Sequence, residues 1–185
     1  TLHGVADAYL DLFLHGLAPA ADPALTAWPE PVHLVEAPPA AAFDRAEQAA
    51  RRRVALVRRG CEFFNLNGFD NCTLEDVVEG LGIRKSGLYH YVSSKEELLY
   101  AAYGRSLEKT EVVMRAVDGQ EATGLARIAK TIASAVDLHV GEAGPIANYT
   151  RLKSLTPEHH AEVERRSQRL EAILAGFFHQ GLADG

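Results

Sequence analysis

The stretch from Thr73 to Leu99, TLEDVVEGLGIRKSGLYHYVSSKEELL, decides the fold. It contains two places where a hydroxyl residue is followed three positions later by a carboxylate, Thr73 with Asp76 and Ser94 with Glu97. Such a pair predicts the first turn of a helix, because the hydroxyl accepts a backbone N–H and the carboxylate accepts one in return. Each pair therefore predicts a helix start.

Between these two starts, the pattern predicts two short helices joined by a tight turn. The first covers residues 73–80 and carries its apolar side chains at helical spacing. Gly80 and Gly82 then allow the left-handed backbone that a turn requires. The second short helix covers residues 84–91. Two short helices around a glycine turn are typical of a helix-turn-helix, which should pack on a helix ending near Asn67.

Helical periodicity dominates the rest of the chain as well, and no strand pair with a hairpin turn is present. Residues 19–42 hold six of the eight prolines and predict an extended linker. The fold class is therefore all-α, with a three-helix helix-turn-helix unit followed by a helical bundle. Further helices are expected over residues 5–18, about 43–67, 95–117, 121–141, 145–155 and 157–180.

Length and composition limit the classes of protein open to this chain. Its 185 residues suffice for a sizeable core, and 47% apolar with 24% charged residues is typical of a globular protein. The longest apolar runs fall far short of the roughly 18 residues that span a bilayer, so no membrane partner is expected. The opening residues lack the features of a secretory signal. Two cysteines cannot form a disulfide framework, which makes the cytoplasm the expected compartment.

The net charge of −6 is unevenly distributed. Residues 1–44 contain six acids and no Lys or Arg, whereas residues 45–105 contain ten basic and eight acidic side chains. Five arginines lie within nine residues, at positions 51–53 and 58–59. Such a run is often only a solvated helix face. Because the run lies beside the predicted helix-turn-helix, it is also compatible with a nucleic-acid interface.

Residues 51–99 contain a dense series of short motifs, which are Phe63-Phe64, Gly68-Phe69, Thr73, Val77-Val78, Leu81-Gly82-Ile83, Gly87-Leu88-Tyr89-His90-Tyr91 and Ser94-Lys95-Glu96-Glu97-Leu98-Leu99. With these motifs, residues 51–99 resemble the DNA-binding domain of the TetR family of bacterial repressors. The resemblance covers about a quarter of the chain and implies a ligand-responsive transcriptional regulator, most often a repressor, that binds operator DNA as a homodimer. The segment from Leu152 to Gly181 is similar to members that sense acyl-CoA or related lipid catabolites.

The resemblance and the donor-rich second helix together predict the DNA contacts. Tyr89, Lys95 and Thr73 match family positions that contact phosphates. Lys95 also lies at a helix N-terminus, where a cation is unfavourable unless an anion is nearby. The alternatives are that Lys95 is merely solvated and that Tyr89 merely packs. The full set of expected DNA-binding residues is Thr73, Arg84, Lys85, Ser86, Gly87, Tyr89, His90 and Lys95, in which Gly87 permits a close approach of backbone to DNA.

Some positions depart from the family pattern. Arg84 stands where the family usually has a small hydroxylated residue that caps the recognition helix, at a cost of roughly 1 kcal/mol. Val92 replaces the usual aromatic residue, and Gly60 and Cys61 replace alanines. These departures leave the helix-turn-helix pattern intact, but Arg84 leaves the base preference open.

Four regions are expected along the chain. Residues 1–18 are similar to the last helix of a family effector domain, 19–42 form the linker, 43–99 the DNA-binding domain, and 100–185 a shortened effector-binding and dimerisation domain. Two accounts fit this order. In the first, which we favour, the chain is a segment of a longer protein with tandem TetR-like units. In the second, the opening helix takes the place of the last helices of the effector domain, which are missing after residue 185.

The effector site is expected among the helices of residues 100–185, where pockets are mostly apolar. For each candidate the alternative is ordinary bundle core. Arg151 and Lys153 are candidates to anchor an anionic group of the effector, with solvation as the alternative. The residues expected to line the pocket are Ile132, Val136, Tyr149, Leu152 and Phe177.

Other functions have less support in the sequence. Neighbouring helical residues such as His159 and His160 point about 100° apart, so no metal site is expected, and no cofactor either. An all-α enzyme using His139, Glu142 or His179 lacks a nucleophile paired with a base. A degenerate unit that only dimerises or senses a ligand is the remaining alternative to an operator-binding regulator.

Overall fold

The computed structural model describes residues 29–35, 45–79, 81–83 and 85–184. Within these residues every regular element is helical and no β-strand occurs, which confirms the all-α prediction. The predicted helix over residues 5–18 and most of the predicted linker lie outside the described residues. The helices are α1 (Arg45–Asn67), α2 (Leu74–Val78), α3 (Lys85–Leu88), α4 (Lys95–Asp118), α5 (Gly124–Val140) and α6 (Pro157–Asp184), with a 3-10 turn at Leu152–Ser154.

Helix α4 is the element around which the others pack. Its first half contacts the helix-turn-helix unit through α1, and it also contacts α5 and α6 of the bundle. The buried side chains of α1 to α6 form one continuous apolar core. The fully or almost fully buried residues that α4 contributes to it are Leu98, Leu99, Ala102, Tyr103, Leu107, Val113, Met114 and Val117.

The helical spacing of Val54, Val57, Cys61 and Phe64 predicts that these four residues form the inner face of α1, and the structure differs slightly from this. Val57, Cys61 and Phe64 are buried as their spacing predicts, but Val54 is 51% exposed and Leu56 is fully buried instead. Val54 lines a cavity between α1 and α4, and none of the helices that the structure describes covers it. The periodicity therefore predicted the helix correctly but not which flank the neighbouring helix covers.

The predicted helix over residues 145–155 is wrong. The chain from Gly141 to Arg151 is irregular, and only Leu152–Ser154 forms a 3-10 turn. Pro145 has no backbone N–H to continue a helix, and the two glycines before it add conformational freedom that opposes one. Arg105 of α4 holds this segment by donating to the carbonyl oxygens of Ala143 at 2.6 Å and Pro145 at 2.8 Å.

Residues 29–35, which we call the strap, cross the surface of α5. The backbone N–H of Val32 donates to the hydroxyl of Ser134 at 2.9 Å, and Ser134 is fully buried. The imidazole Nδ1 of His33 lies 3.1 Å from a carboxylate oxygen of Asp137. Val32 and Leu34 pack partly buried against the core. The strap therefore attaches the chain preceding α1 to the bundle.

None of the helices that the structure describes is long and apolar enough to cross a bilayer.

Helices α5 and α6 pack closely on each other near Gly124 and Gly181. A methyl group added at Gly124 would overlap the backbone N of Gly181 and the carbonyl O of Phe177. The glycine therefore sets how closely the two helices approach.

We expect Gly124→Ala to destabilise the protein by about 1–3 kcal/mol, because the two helices must separate to admit the methyl group. The matched control is Gly176→Ala on α6, where an added Cβ meets no atom within 4 Å. That substitution should stabilise the helix by roughly 0.5–1 kcal/mol. Thermal unfolding of both variants measures the effects, and equal stability of the two would contradict the close packing described here.

Candidate nucleic-acid interface

Helix α2 begins with the capping box that the sequence predicted. The hydroxyl of Thr73 accepts the backbone N–H of Asp76 at 3.2 Å, and a carboxylate oxygen of Asp76 accepts the backbone N–H of Thr73 at 2.7 Å. Leu74, Val77 and Val78 are buried against the core. The cap and the apolar face together fix a helix of only five residues, shorter at both ends than the predicted 73–80.

A turn follows α2, as the helix-turn-helix prediction requires. Residues 81–83 are not helical, and Gly82 has a φ of +65°, the left-handed conformation that favours glycine. Helix α3 then spans Lys85–Leu88 and continues as turns to Tyr91, rather than as the predicted helix to 91. Arg84 and Gly80 lie outside the described residues.

Helix α3 is anchored by two apolar side chains and exposes the residues beside them. Leu88 is fully buried and Val92 is 1% exposed. Tyr89 is 59% exposed, and His90 is exposed next to it. A Cβ added at Gly87 would meet nothing within 4 Å, so the backbone there is open to a close approach. The side chains of Lys85 and Ser86 lie outside the described part of the chain.

Lys95 forms internal contacts that no sequence motif predicted. Its ammonium donates to the carbonyl oxygens of Phe69 at 2.7 Å and Cys72 at 2.9 Å. The same group lies 4.3 Å from the centroid of the Phe69 ring, within the range of a cation–π contact. Lys95 therefore ties the loop between α1 and α2 to the start of α4, and its phosphate contact stays a prediction.

The start of α4 is capped differently from the predicted box. Ser94 is the N-cap and its hydroxyl accepts the backbone N–H of Glu97 at 3.0 Å. The Glu97 carboxylate accepts from Ser93 rather than Ser94, at 2.6 Å from the backbone N and 2.7 Å from the hydroxyl. These hydrogen bonds lower the pKa of Glu97 below its ordinary value. An ionised Glu97 therefore stabilises the connection between α3 and α4.

The arginine run of α1 is largely a solvated and paired helix face. Arg51 pairs with Glu47 at 2.9 Å, and both Arg58 and Arg59 approach Glu62 on the same helix. Pairs three or four residues apart on an exposed helix contribute little stability each. The charge run alone therefore gives no evidence of a nucleic-acid contact.

Several contacts connect the helix-turn-helix unit to the bundle. The side-chain amide of Asn65 donates to the carbonyl of Ile146 at 2.7 Å and accepts the backbone N–H of Asn148 at 2.9 Å. Arg151, predicted as an effector anchor, instead forms an ion pair with Asp70 at 2.6 Å. No motif predicted these contacts, because they depend on an irregular loop expected to be helical.

The five residues expected to line an effector pocket do not line the cavity of about 1070 Å³ that the structure describes beside α1. That cavity lies between α1, α4, α6 and the strap. Phe177 is buried, whereas Ile132 and Val136 are 41% and 46% exposed. Tyr149 stacks on Tyr103 with centroids 4.9 Å apart, and Leu152 is half-buried. No sequence pattern indicated that the strap and α1 would border a cavity distinct from the predicted pocket.

Cys61 and His159 occupy structural positions. Cys61 is fully buried, and burial raises the pKa of its thiol to about 11, which disfavours the reactive thiolate. His159 lies 2.8 Å from Glu96 and stacks on Tyr100. Among the residues that the structure describes, no three His, Cys, Asp or Glu side chains are grouped to hold a metal ion.

Comparison with known proteins finds a family model that matches the helix-turn-helix region. The family model described as bacterial regulatory proteins, tetR family, matches residues 56–102, which include α2, α3 and the start of α4. No curated protein matches the chain.

Solved structures share the fold. The TetR family transcriptional regulator PfmR from Thermus thermophilus gives a TM-score of 0.57 at 23% identity, over 70% of this chain and 71% of that one. A bacterial regulatory protein in the tetR family from Rhodococcus gives 0.54 at 22% identity, over 77% and 73%. A TetR/AcrR family regulator from Thermobifida fusca gives 0.50 at 20% identity, over 73% and 72%.

We expect Glu97→Gln to destabilise the protein at neutral pH and to have less effect as the pH falls. The pKa of Glu97 is lowered in the folded state, so the stability from its carboxylate is present above the unfolded value near 4.5. That stability is lost as the pH falls through the folded pKa. Urea unfolding at pH 7 and pH 3 measures the difference, with Glu79→Gln, which changes an exposed carboxylate, as control. A difference independent of pH would contradict this role.

Proposed function

We infer that this chain is a DNA-binding transcriptional regulator, because residues 56–102 match the family model described as bacterial regulatory proteins, tetR family. The observation that carries the inference is the way α3 is held. Leu88 and Val92 fix it to the core, while Gly87, Tyr89 and His90 remain open on its other side. A helix held rigidly with a free polar face is what insertion into a major groove requires.

We propose that the chain is a repressor that binds its operator as a two-fold homodimer. Each subunit would place one α3 in successive major grooves, about 34 Å apart along the DNA. The predicted contacts divide into two classes. Tyr89, Lys95 and Thr73 would position the protein on phosphates, and Arg84, Lys85, Ser86 and His90 would reach base edges.

Release from the operator would follow the binding of a small effector, of lipid or acyl-CoA type by the resemblance of the C-terminal segment. The effector must bind the DNA-competent and DNA-incompetent arrangements unequally to shift their populations. Asn65 and the Asp70–Arg151 pair support this proposal, because they join the helix-turn-helix unit to the loop between α5 and α6. A change in that loop would alter the position of α1 directly.

Tyr89→Phe and Lys95→Ala should weaken binding by similar factors on operator and random DNA, because phosphate contacts carry no sequence information. Lys95→Ala should also lower the slope of log K against log salt by about one if the ammonium neutralises a phosphate. Fluorescence anisotropy titrations at several salt concentrations measure both effects. An unchanged slope with reduced thermal stability would assign Lys95 only to the Phe69 and Cys72 carbonyls.

Lys85→Ala should instead cost more on the operator than on random DNA, by about 1–3 kcal/mol if the contact is bidentate. The DNA upstream of the protein's own gene is the first operator to test. Arg52→Ala, which changes an exposed arginine of α1, is the control. Equal losses on both DNAs would reassign Lys85 to phosphate. Failure of the wild-type protein to bind any DNA would favour the degenerate unit that only dimerises or senses a ligand.

A further inference from the structure

The cavity between α1, α4, α6 and the strap is large enough for a ligand. Its volume of about 1070 Å³ is slightly above the range of about 300–1,000 Å³ typical of small-molecule sites. Leu34 and Val35 of the strap form one wall, and Val54 and Val57 of α1 form another. The side chains of Leu34, Val35, Val54 and Val57 are aliphatic and give the cavity one apolar side, whereas α4 and α6 contribute mainly polar and charged side chains.

Gly104 marks the α4 wall of this cavity. A glycine inside a helix costs roughly 0.5–1 kcal/mol relative to alanine, so its presence needs a compensating reason. At Gly60 and Gly124 the reason is close packing, since an added Cβ would crowd Leu98 or overlap the backbone of Gly181. At Gly104 an added Cβ meets nothing within 4 Å, although the residue lines the cavity. The missing side chain therefore keeps space open rather than admitting a neighbouring helix.

Most polar groups in the walls already have partners within the protein. The Glu97 carboxylate accepts from Ser93, and Glu96 accepts the backbone N–H of Thr156 at 3.0 Å. The guanidinium Nε of Arg166 donates to Glu111 at 2.9 Å. A ligand therefore meets few polar groups that need a new hydrogen bond, which favours an apolar body.

Arg53 differs from these partnered groups of the cavity walls. Besides two histidines, the walls carry four cationic side chains and three carboxylates. Arg53 of α1 is exposed, and within the part of the chain that the structure describes it forms no ion pair within 4 Å, although its charge helps to lower the pKa of Glu97 on the facing wall. Arg53 is therefore the group available to an anionic end of a ligand.

We propose that this cavity is the effector site, and that it takes an elongated apolar molecule with a single anionic end group directed to Arg53. The proposal rests on the regulator function proposed above and specifies where its effector binds. The walls come from α1, which belongs to the helix-turn-helix unit, and from the strap and α6, which belong to the bundle side. A ligand that fills the space fixes the distance between α1 and the bundle and thereby the position of α3.

The test uses decanoate as an apolar anion and decan-1-ol as its neutral counterpart. Gly104→Trp places a large side chain in the cavity and should weaken decanoate binding at least about tenfold, close to 1.4 kcal/mol. Gly176→Trp is the matched control, because it changes a glycine of α6 with equally open space that does not line the cavity. Isothermal titration calorimetry measures the affinities, and circular dichroism checks that each variant is folded.

Arg53→Gln should weaken decanoate binding about threefold, as expected for an exposed ion pair, and leave decan-1-ol binding unchanged. If Gly104→Trp does not fold, Gly104→Leu takes its place. The proposal is overturned if the wild-type protein does not bind decanoate, or if the variant at Gly104 and the control at Gly176 bind it equally.

Operator binding measured on the same samples separates this proposal from the proposed function. DNA binding that persists without any decanoate binding overturns the cavity site alone. Decanoate binding without DNA binding overturns the regulator function and leaves the cavity as a ligand site. Support for both requires that saturating decanoate changes the operator affinity of the wild-type protein but not of Gly104→Trp.

Discussion

The structure depends on the burial of α4 by two different groups of helices. Leu98, Leu99 and Ala102 lie under α1, and Val113, Met114 and Val117 lie in the bundle, all on one unbroken helix. Because interiors are close-packed, a displacement at one end of such a helix is transmitted to the other. The helix-turn-helix unit and the bundle therefore share one core, and α3 is positioned by contacts whose other ends lie in the bundle.

The sequence predicted the features that depend on neighbouring residues. The Thr73–Asp76 cap, the glycine turn and the buried face of α2 follow from spacings of three or four residues, and the structure contains all three. Long-range features escaped prediction. The loop that replaced the expected helix over 145–155 is held by Arg105, which lies about 40 residues earlier. The internal bonds of Lys95 likewise join residues more than 20 positions apart.

The same distinction explains the partial prediction of the sites. Exposure of Tyr89 and His90 follows from the period of a short helix around Leu88, so the exposed face of α3 could be anticipated. The cavity could not, because its walls combine the strap with helices far apart in the sequence. Apolar side chains such as Ile132 and Val136 have the composition of a pocket, yet they are partly exposed on the outer surface of α5.

The strap also limits how far the helix-turn-helix unit can move. Its bond to the buried Ser134 fixes Val32 on α5, and only residues 36–44 separate the strap from the first residue of α1. Nine residues span at most about 30 Å when fully extended. If the contacts between α1 and α4 open, α1 remains on a short tether and its effective concentration near the bundle stays high. The start of α1 therefore stays within about 30 Å of the strap for as long as the strap keeps its bond to Ser134.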